Sequence, residues 1–375
     1  MATIESYDTK AGRRYMVRYR KPDRTQTSKR GFKTKRDANL FLASVEVDKA
    51  TGTYIDPAMS NVTVGELGPS WLERKQGLKP SSYRPLEIAW RVHVEPVWGK
   101  FPITNILHTE VQAWVTRLSV GDAKARPPVK PKSAPTVVRA YGVLAAILDD
   151  AVRDRRLPAN PARGVDLPRR TKKPHVYLSH DDVARFADNS RHPLLVRVLA
   201  YCGLRWGEAV ALRVQDVDLD KRRLKIERNA VRVDGKIHIG TPKTHELRTV
   251  AFPLFLLPAL KAACLDRHRE DVLFPGPNGS YMRPPHTGKN RVSWFDAAVA
   301  AADIPRVTPH DLRHTFASFA VSAGANVKVL QKMLGHASAA MTLDVYAELF
   351  DDDLNSVADA LDNAVSPENV LKLCS

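Results

Sequence analysis

VTPHDLRHTFASFAV, residues 307–321, reads as the beginning of a helix that carries chemistry on its first turns. Thr308 can cap it, and Pro309 suits the first helical position, where its missing N–H has no partner to lose. His310 and Arg313 then share one face at i, i+3, so two donors point the same way from a helix start. His310 and His314, at i, i+4, have the spacing of two metal ligands. The intervening acid and the third ligand of such a site are missing, and a capping or core role for one histidine is the stronger reading.

On the C-terminal side, VLQKMLGHASAAMTLDVYAELF (329–350) places His336 just after Leu334-Gly335, where glycine can end a helix, and Tyr346 in a second amphipathic stretch. Taken alone, a tyrosine among Met341, Leu343, Val345 and Leu349 is a core residue. On the N-terminal side, AYCGLRWGEAVAL (200–212) sets Arg205 and Glu208 at i, i+3 in an apolar context, either as a pair that satisfies itself at a helix end or as an arginine held for a purpose. Between these lie the alternating stretches RLKIERNAVRV (223–233), GKIHI (235–239) and LRTVAF (247–252), with Asp234-Gly235 as a hairpin signal. They predict one small antiparallel sheet, with Lys243 in GTPKTHE at the turn into its last strand, where a long cation can reach past the sheet edge.

The rest of the chain is organised in two further segments. RRYMVRYR (13–20) alternates Tyr15, Val17 and Tyr19 with Arg14, Arg18 and Arg20, the period of a strand with one wet, basic face. A strand through Thr25, Thr27 and Lys29 and a Thr34-capped helix with Leu40, Phe41 and Val45 complete a small module. From Thr63, with Glu66 as its capping-box partner, four helical patterns follow: Val64, Leu67 and Trp71; Leu86, Trp90 and Val94; Val111 to Leu118; and Val137 to Val152. Pro69 and Pro85 are expected near the beginnings of the first two. GDAKARPPVKPKSAP (121–135) is a loop able to touch phosphates through Lys130 and Lys132, and LPANPARGVDLPRRTKKP (157–174) has the composition of an exposed linker, with Arg169 and Arg170. The expected organisation is multidomain and mainly α with small β-sheets: a β-sheet-plus-helix domain over 1–56, a helical domain over 62–160, and a mixed α+β domain over 174–375.

Fifty-eight lysines and arginines against 41 acids give a net charge of +17, which calls for a polyanionic partner. Nucleic acid fits best, because neutralised phosphates release condensed counterions. No apolar run reaches the length of a membrane span and the first residues lack a signal-peptide core, so a cytoplasmic location and no membrane partner are expected. Cys202, Cys264 and Cys374 are widely spaced and read as reduced thiols. Arg14, Arg18, Arg20, Lys130, Lys132, Arg169 and Arg170 are the candidate DNA contacts.

In order and spacing, GLRWGE, TPKT, HDLRH, LGHAS and LDVY resemble the tyrosine recombinase family, phage-integrase type, across the whole third segment. The resemblance places the family's six active-site positions on Arg205, Lys243, His310, Arg313, His336 and Tyr346. It implies a site-specific recombinase that breaks and rejoins DNA through a 3′-phosphotyrosine bond, without metal, ATP or other cofactor. Two arginines would hold the non-bridging phosphate oxygens in parallel hydrogen bonds, and His310 would accept the proton of Tyr346. Lys243 would protonate the leaving 5′-hydroxyl, and His336 would hydrogen-bond the phosphate. The first two segments resemble arm-binding and core-binding domains. Implied partners are core-type and arm-type attachment sites in double-stranded DNA, a homotetramer joined by the apolar C-terminal tail, a host DNA-bending protein and a directionality factor. A Xer-like resolvase or transposon recombinase, a type IB topoisomerase and a non-catalytic DNA-binding protein are the competing readings.

Overall fold

The alternation in residues 13–20 becomes the central strand of a three-stranded antiparallel sheet, β1 (Thr3–Thr9), β2 (Gly12–Arg20) and β3 (Gln26–Phe32), in the order β1-β2-β3. The computed structural model describes residues 2–125, 128–169, 174–241, 247–288, 291–346 and 362. The chain divides into two compact units, Met1–Lys172 and Lys173–Ser375.

In the first unit, Val17 and Tyr19 are buried beneath α1 (Lys35–Ala50), which contributes Ala38 and Val45 to the same small core. Thr34 caps α1 by accepting from the Asp37 N–H. Met16 is buried on the arginine side of β2, where the Arg30 guanidinium covers its sulfur, so the basic face is less uniformly wet than its alternation predicts.

A second core lies within the same unit. After the short α2 (Pro57–Ser60) come α3 (Val64–Glu73), α4 (Pro80–Ala89), α5 (Glu95–Trp98), α6 (His108–Val120) and α7 (Ala134–Arg153), with a π turn over Trp90–Val94 joining α4 to α5. The capping box is formed: Glu66 accepts from the Thr63 N–H at 2.7 Å while Thr63 accepts from the Glu66 N–H at 3.2 Å. Trp71, Trp90, Trp98, Trp114 and the apolar stripe of α7 fill the interior. Pro69 and Pro85 sit inside α3 and α4, past the first turn where a proline costs nothing.

The proline-rich stretch after α7 is not the exposed linker its composition suggests. Leu157, Ala162 and Val165 are buried in the helical core. Asn160 donates to the Ala145 carbonyl at 2.8 Å, and the Tyr141 hydroxyl donates to the Ala162 carbonyl at 2.8 Å. Composition registers prolines and charges; it does not register that one amide and three apolar side chains bind the segment down.

The second unit packs α8 (His180–Asp188), α9 (Pro193–Cys202), α11 (Leu257–Cys264), α12 (Trp294–Ala301) and α13 (Pro309–Ser322) around a core that includes Phe186, Leu195, Leu199, Leu204, Phe295 and Leu312. The short α10 (Trp206–Ala209) leads to β4 (Val217–Asp218), and α14 (Val327–Leu334) and α15 (Ala339–Tyr346) follow α13. The expected single sheet is two. β4, β5 (Arg223–Ile226) and β8 (Arg248–Ala251) form one, and β6 (Asn229–Val233) with β7 (Lys236–Gly240) form a separate hairpin. The division falls at Glu227-Arg228, where Arg228 donates to both carboxylate oxygens of buried Asp216, at 2.6 and 2.8 Å. Asp234 and Gly235 both take positive φ, as the expected two-residue hairpin turn requires. No helix among the described residues is long and apolar enough to cross a membrane.

Candidate active site

Helix α13 opens as its sequence predicts: Thr308 and Asp311 form a capping box and Pro309 occupies the first turn. One turn on, Arg313 is only 1% exposed. Its guanidinium donates to the Gly203 carbonyl at 2.8 Å and to the Leu334 carbonyl at 2.6 Å, joining the C-terminal ends of α9 and α14. Carbonyls at a helix end lack partners within the helix and carry its negative dipole end, so a cation between two such ends is favoured twice. Burial, and then Arg205, push the Arg313 pKa down to about 9, which still leaves a cation at neutral pH.

Two more arginines meet the same helix end. Arg205, the residue before α10, reaches the Gly335 carbonyl at 3.3 Å, and Arg248, the first residue of β8, reaches the Met333 carbonyl at 3.0 Å. Three consecutive carbonyls, of Met333, Leu334 and Gly335, are therefore held by Arg248, Arg313 and Arg205. Glu208 links two of these cations. It is 1% exposed, receives both terminal nitrogens of Arg248 at 3.0 and 2.6 Å, and receives Arg205 at 2.9 Å. Burial raises its pKa, but the hydrogen bonds and charge of Arg248, with Arg205, outweigh this and hold the carboxyl below its usual range. The pair that satisfies itself at a helix end is thus present, extended by a third member that the sequence reading did not single out.

Gly335 closes α14 in the left-handed conformation, φ 62°. Beyond it the His336 N–H donates to the Gln331 carbonyl at 3.1 Å, and the His336 Nδ1 lies 3.0 Å from the hydroxyl of fully buried Thr342. Burial, then Arg313 and Arg205, pull the His336 pKa down to about 4, so the ring is neutral at neutral pH.

Tyr346 ends α15 at 1% exposure, packed with Phe316, Val321, Leu330 and Leu334, so it is also the core residue its flanks suggest. Its ring is nearly parallel to that of His336, centroids 6.4 Å apart. Burial pushes its pKa up to about 12 against the opposing charges of Arg313 and Arg205. The hydroxyl lies 2.9 Å from Nδ1 of His314. His310, expected as its proton acceptor, stands exposed at the start of α13, edge-on to His314 at 4.8 Å, and makes no hydrogen bond to Tyr346 among the described residues.

Five of the six expected residues thus belong to one locality of the second unit; Lys243 lies outside the described residues. Of the candidate DNA contacts, Arg18, Arg20, Lys130 and Arg169 are exposed and Arg14 and Lys132 half-buried, all in the first unit, while Arg170 lies outside the described residues. Arg18 pairs loosely with Glu5 at 3.4 Å.

Gly203 illustrates how tightly this locality is built. It caps α9 at φ +65°, and a Cβ there would come within 2.2 Å of the Phe316 ring. Gly203→Ala is expected to cost about 2–4 kcal/mol, the sum of a left-handed alanine and an overpacked core. A thermal melt of the full chain reads this directly, and an unchanged melting temperature would refute the reading.

Comparison with known proteins places these residues in a family. Residues 177–352 match the phage integrase family and residues 6–49 match an arm DNA-binding domain. The chain is 28% identical over 346 residues to the phiRv2 prophage integrase of Mycobacterium tuberculosis, covering 88% of each chain. It is 27% identical over 331 residues to the prophage integrase IntR of Escherichia coli, covering 80% of each. Among solved structures, the Tn1549 transposon integrase in complex with transposon right end DNA aligns with a TM-score of 0.65 at 22% identity, over 79% of this chain and 100% of that one. A lambda integrase dimer bound to a core site aligns with a TM-score of 0.54 at 15% identity, over 91% and 93%, a likeness of fold. Tyr346, Arg205, Arg313 and both expected histidines all fall inside the matched stretch, so it is residues 177–352 that match the phage integrase family.

Proposed function

We propose that this protein is a site-specific DNA integrase that cuts and rejoins DNA strands through Tyr346. The observation that carries this reading is the placement of a tyrosine hydroxyl at the end of α15, beside a helix terminus on which Arg205 and Arg313 both converge. Each arginine has five N–H donors and spends two on the contacts described, so each keeps donors for a phosphate.

In the proposed reaction the Tyr346 oxygen attacks the scissile phosphorus, the bond to the 5′ oxygen breaks, and the 3′ phosphate stays on the tyrosine. Arg205 and Arg313 take the non-bridging oxygens, where charge grows in the transition state. In this reaction neutral His336 has its proton on Nε2 and donates a hydrogen bond to the same phosphate, and exposed His310 faces it from the start of α13. Lys243 protonates the departing 5′ oxygen. Rejoining reverses the steps with the 5′-hydroxyl of another strand, so the phosphodiester energy is conserved.

The arm DNA-binding match supports an integrase over a Xer-like resolvase, with residues 1–56 on arm-type sites, 62–160 on core-type sites and 174–375 carrying the chemistry. Arg14, Arg18, Arg20, Lys130, Lys132, Arg169 and Arg170 then bind phosphates, and the active form is a homotetramer on paired sites, assisted by a host bending protein and a directionality factor.

The test is incubation of wild type and Tyr346→Phe with a nicked suicide DNA carrying an attachment site, in EDTA, followed by a denaturing gel. A covalent adduct from wild type alone is expected. Adducts from both proteins would place the nucleophile elsewhere, and specific binding without any adduct would favour a binding-only protein.

A further inference from the structure

We propose that His314 is a further catalytic residue: its Nδ1 takes the proton of the Tyr346 hydroxyl as the phenolic oxygen attacks phosphorus. The proposal rests on the reading of Tyr346 as the nucleophile. Its basis is geometric. The Tyr346 oxygen lies 2.9 Å from the His314 Nδ1, within the distance a general base needs. Both groups are buried, so bulk water does not compete for the proton. His314 follows Arg313 directly on α13, so the main chain that fixes the phosphate-binding guanidinium also fixes the imidazole.

The surroundings of His314 decide its charge. Against it, with ring centroids 4.0 Å apart and planes tilted by 36°, lies His175 from the segment before α8. His310 stands edge-on, Asp311 and Arg313 lie on the same helix, and Tyr346 faces it from α15. Burial, then His175, His310 and Arg313, draw the pKa down to about 4 against the pull of Asp311. The ring is therefore neutral before DNA binds, with one nitrogen free to accept. A phosphodiester seated on Arg205 and Arg313 offsets the nearby positive charge and raises the proton affinity of the imidazole when it is needed. The step balances: the Tyr346 O–H breaks as its proton passes to Nδ1, the O–P bond forms, the bond from phosphorus to the 5′ oxygen breaks, and that oxygen takes the proton that the proposed reaction assigns to Lys243. In the rejoining step His314 returns the proton to Tyr346.

The experiment compares wild type, Tyr346→Phe, His314→Asn and His310→Asn in single-turnover cleavage of two suicide DNAs. One has a normal scissile phosphate and the other has sulfur in place of the bridging 5′ oxygen, a leaving group that needs no proton. Asparagine keeps an amide atom near the position of Nδ1 and can hydrogen-bond the hydroxyl, but it cannot take a proton. His314→Asn is expected to slow adduct formation about 10²–10³-fold on both DNAs. The wild-type rate rises along an acid-side limb as pH increases, and that limb is absent from His314→Asn. Melting temperature and DNA affinity, measured on the same samples, separate misfolding from lost chemistry, and the wild-type limb stands as a test without any variant. Cleavage by His314→Asn at or above the wild-type rate overturns the proposal, as does a defect rescued by the sulfur leaving group or a wild-type profile with no acid limb. If Tyr346→Phe still forms an adduct, the nucleophile assignment fails first. If only Tyr346→Phe is inactive, the role of His314 alone fails.

Discussion

Arg313→Lys is expected to lower the single-turnover rate of adduct formation by about a thousandfold while leaving DNA affinity within a few fold of wild type. The guanidinium of Arg313 is a fork that spans the Gly203 and Leu334 carbonyls and still has donors left over. A lysine ammonium is a single point with three donors and cannot bridge two helix ends while presenting two parallel hydrogen bonds to a phosphate. The side chain is 1% exposed, so water cannot substitute for the missing donors. Quench-flow cleavage of the suicide DNA, with affinity measured separately by titration, distinguishes lost chemistry from lost binding. A rate within tenfold of wild type would show that the fork geometry is not needed.

The second large effect is on stability. Glu208→Ala is expected to cost about 3–5 kcal/mol, because a buried ion pair that loses one partner leaves the other charge uncompensated. Arg248 is 9% exposed and both of its terminal nitrogens face the Glu208 carboxylate. Removing that carboxylate strands Arg248 in the interior and loosens Arg205 as well. Differential scanning calorimetry of the full chain should show the transition of the second unit shifted down by several degrees or lost. Glu208→Ala combined with Arg248→Met should recover part of the loss, since no buried charge is then left unpaired. A single variant that melts like wild type would mean that water already screens these charges.

The residues with the strongest sequence signal were those whose chemistry and local structure agree. Thr308, Pro309, His310 and Arg313 could be placed on a helix start because capping, proline geometry and i, i+3 spacing are local properties. The π turn over Trp90–Val94 and the division of the sheet at Arg228 follow from partners far away in sequence, of which local alternation holds no trace. Arg248 was hidden for the same reason: within LRTVAF it is an ordinary polar residue of a strand, and its value comes from Glu208, forty residues earlier. A clue was available in that glutamate, since a carboxylate in so apolar a stretch needs more cations than Arg205 alone. His314 was weighed as a metal ligand or core residue because its tyrosine partner is thirty-two residues away.

The three arginines on Met333, Leu334 and Gly335 have a consequence for the cell that carries this enzyme. They come from stretches of chain around residues 205, 248 and 313, synthesised well before and just before the helix end they clasp. A ribosome-bound or proteolysed chain that stops short of residue 333 has cations with no helix end to organise them and lacks Tyr346, the proposed nucleophile. A fragment that begins beyond residue 248 has Tyr346 and keeps Arg313 on Leu334, but leaves the Met333 and Gly335 carbonyls unclasped. The cluster of Arg205, Arg248, Arg313 and Tyr346 is thus completed only once residue 346 has been made, so the proposed capacity to cut DNA is absent from shorter chains.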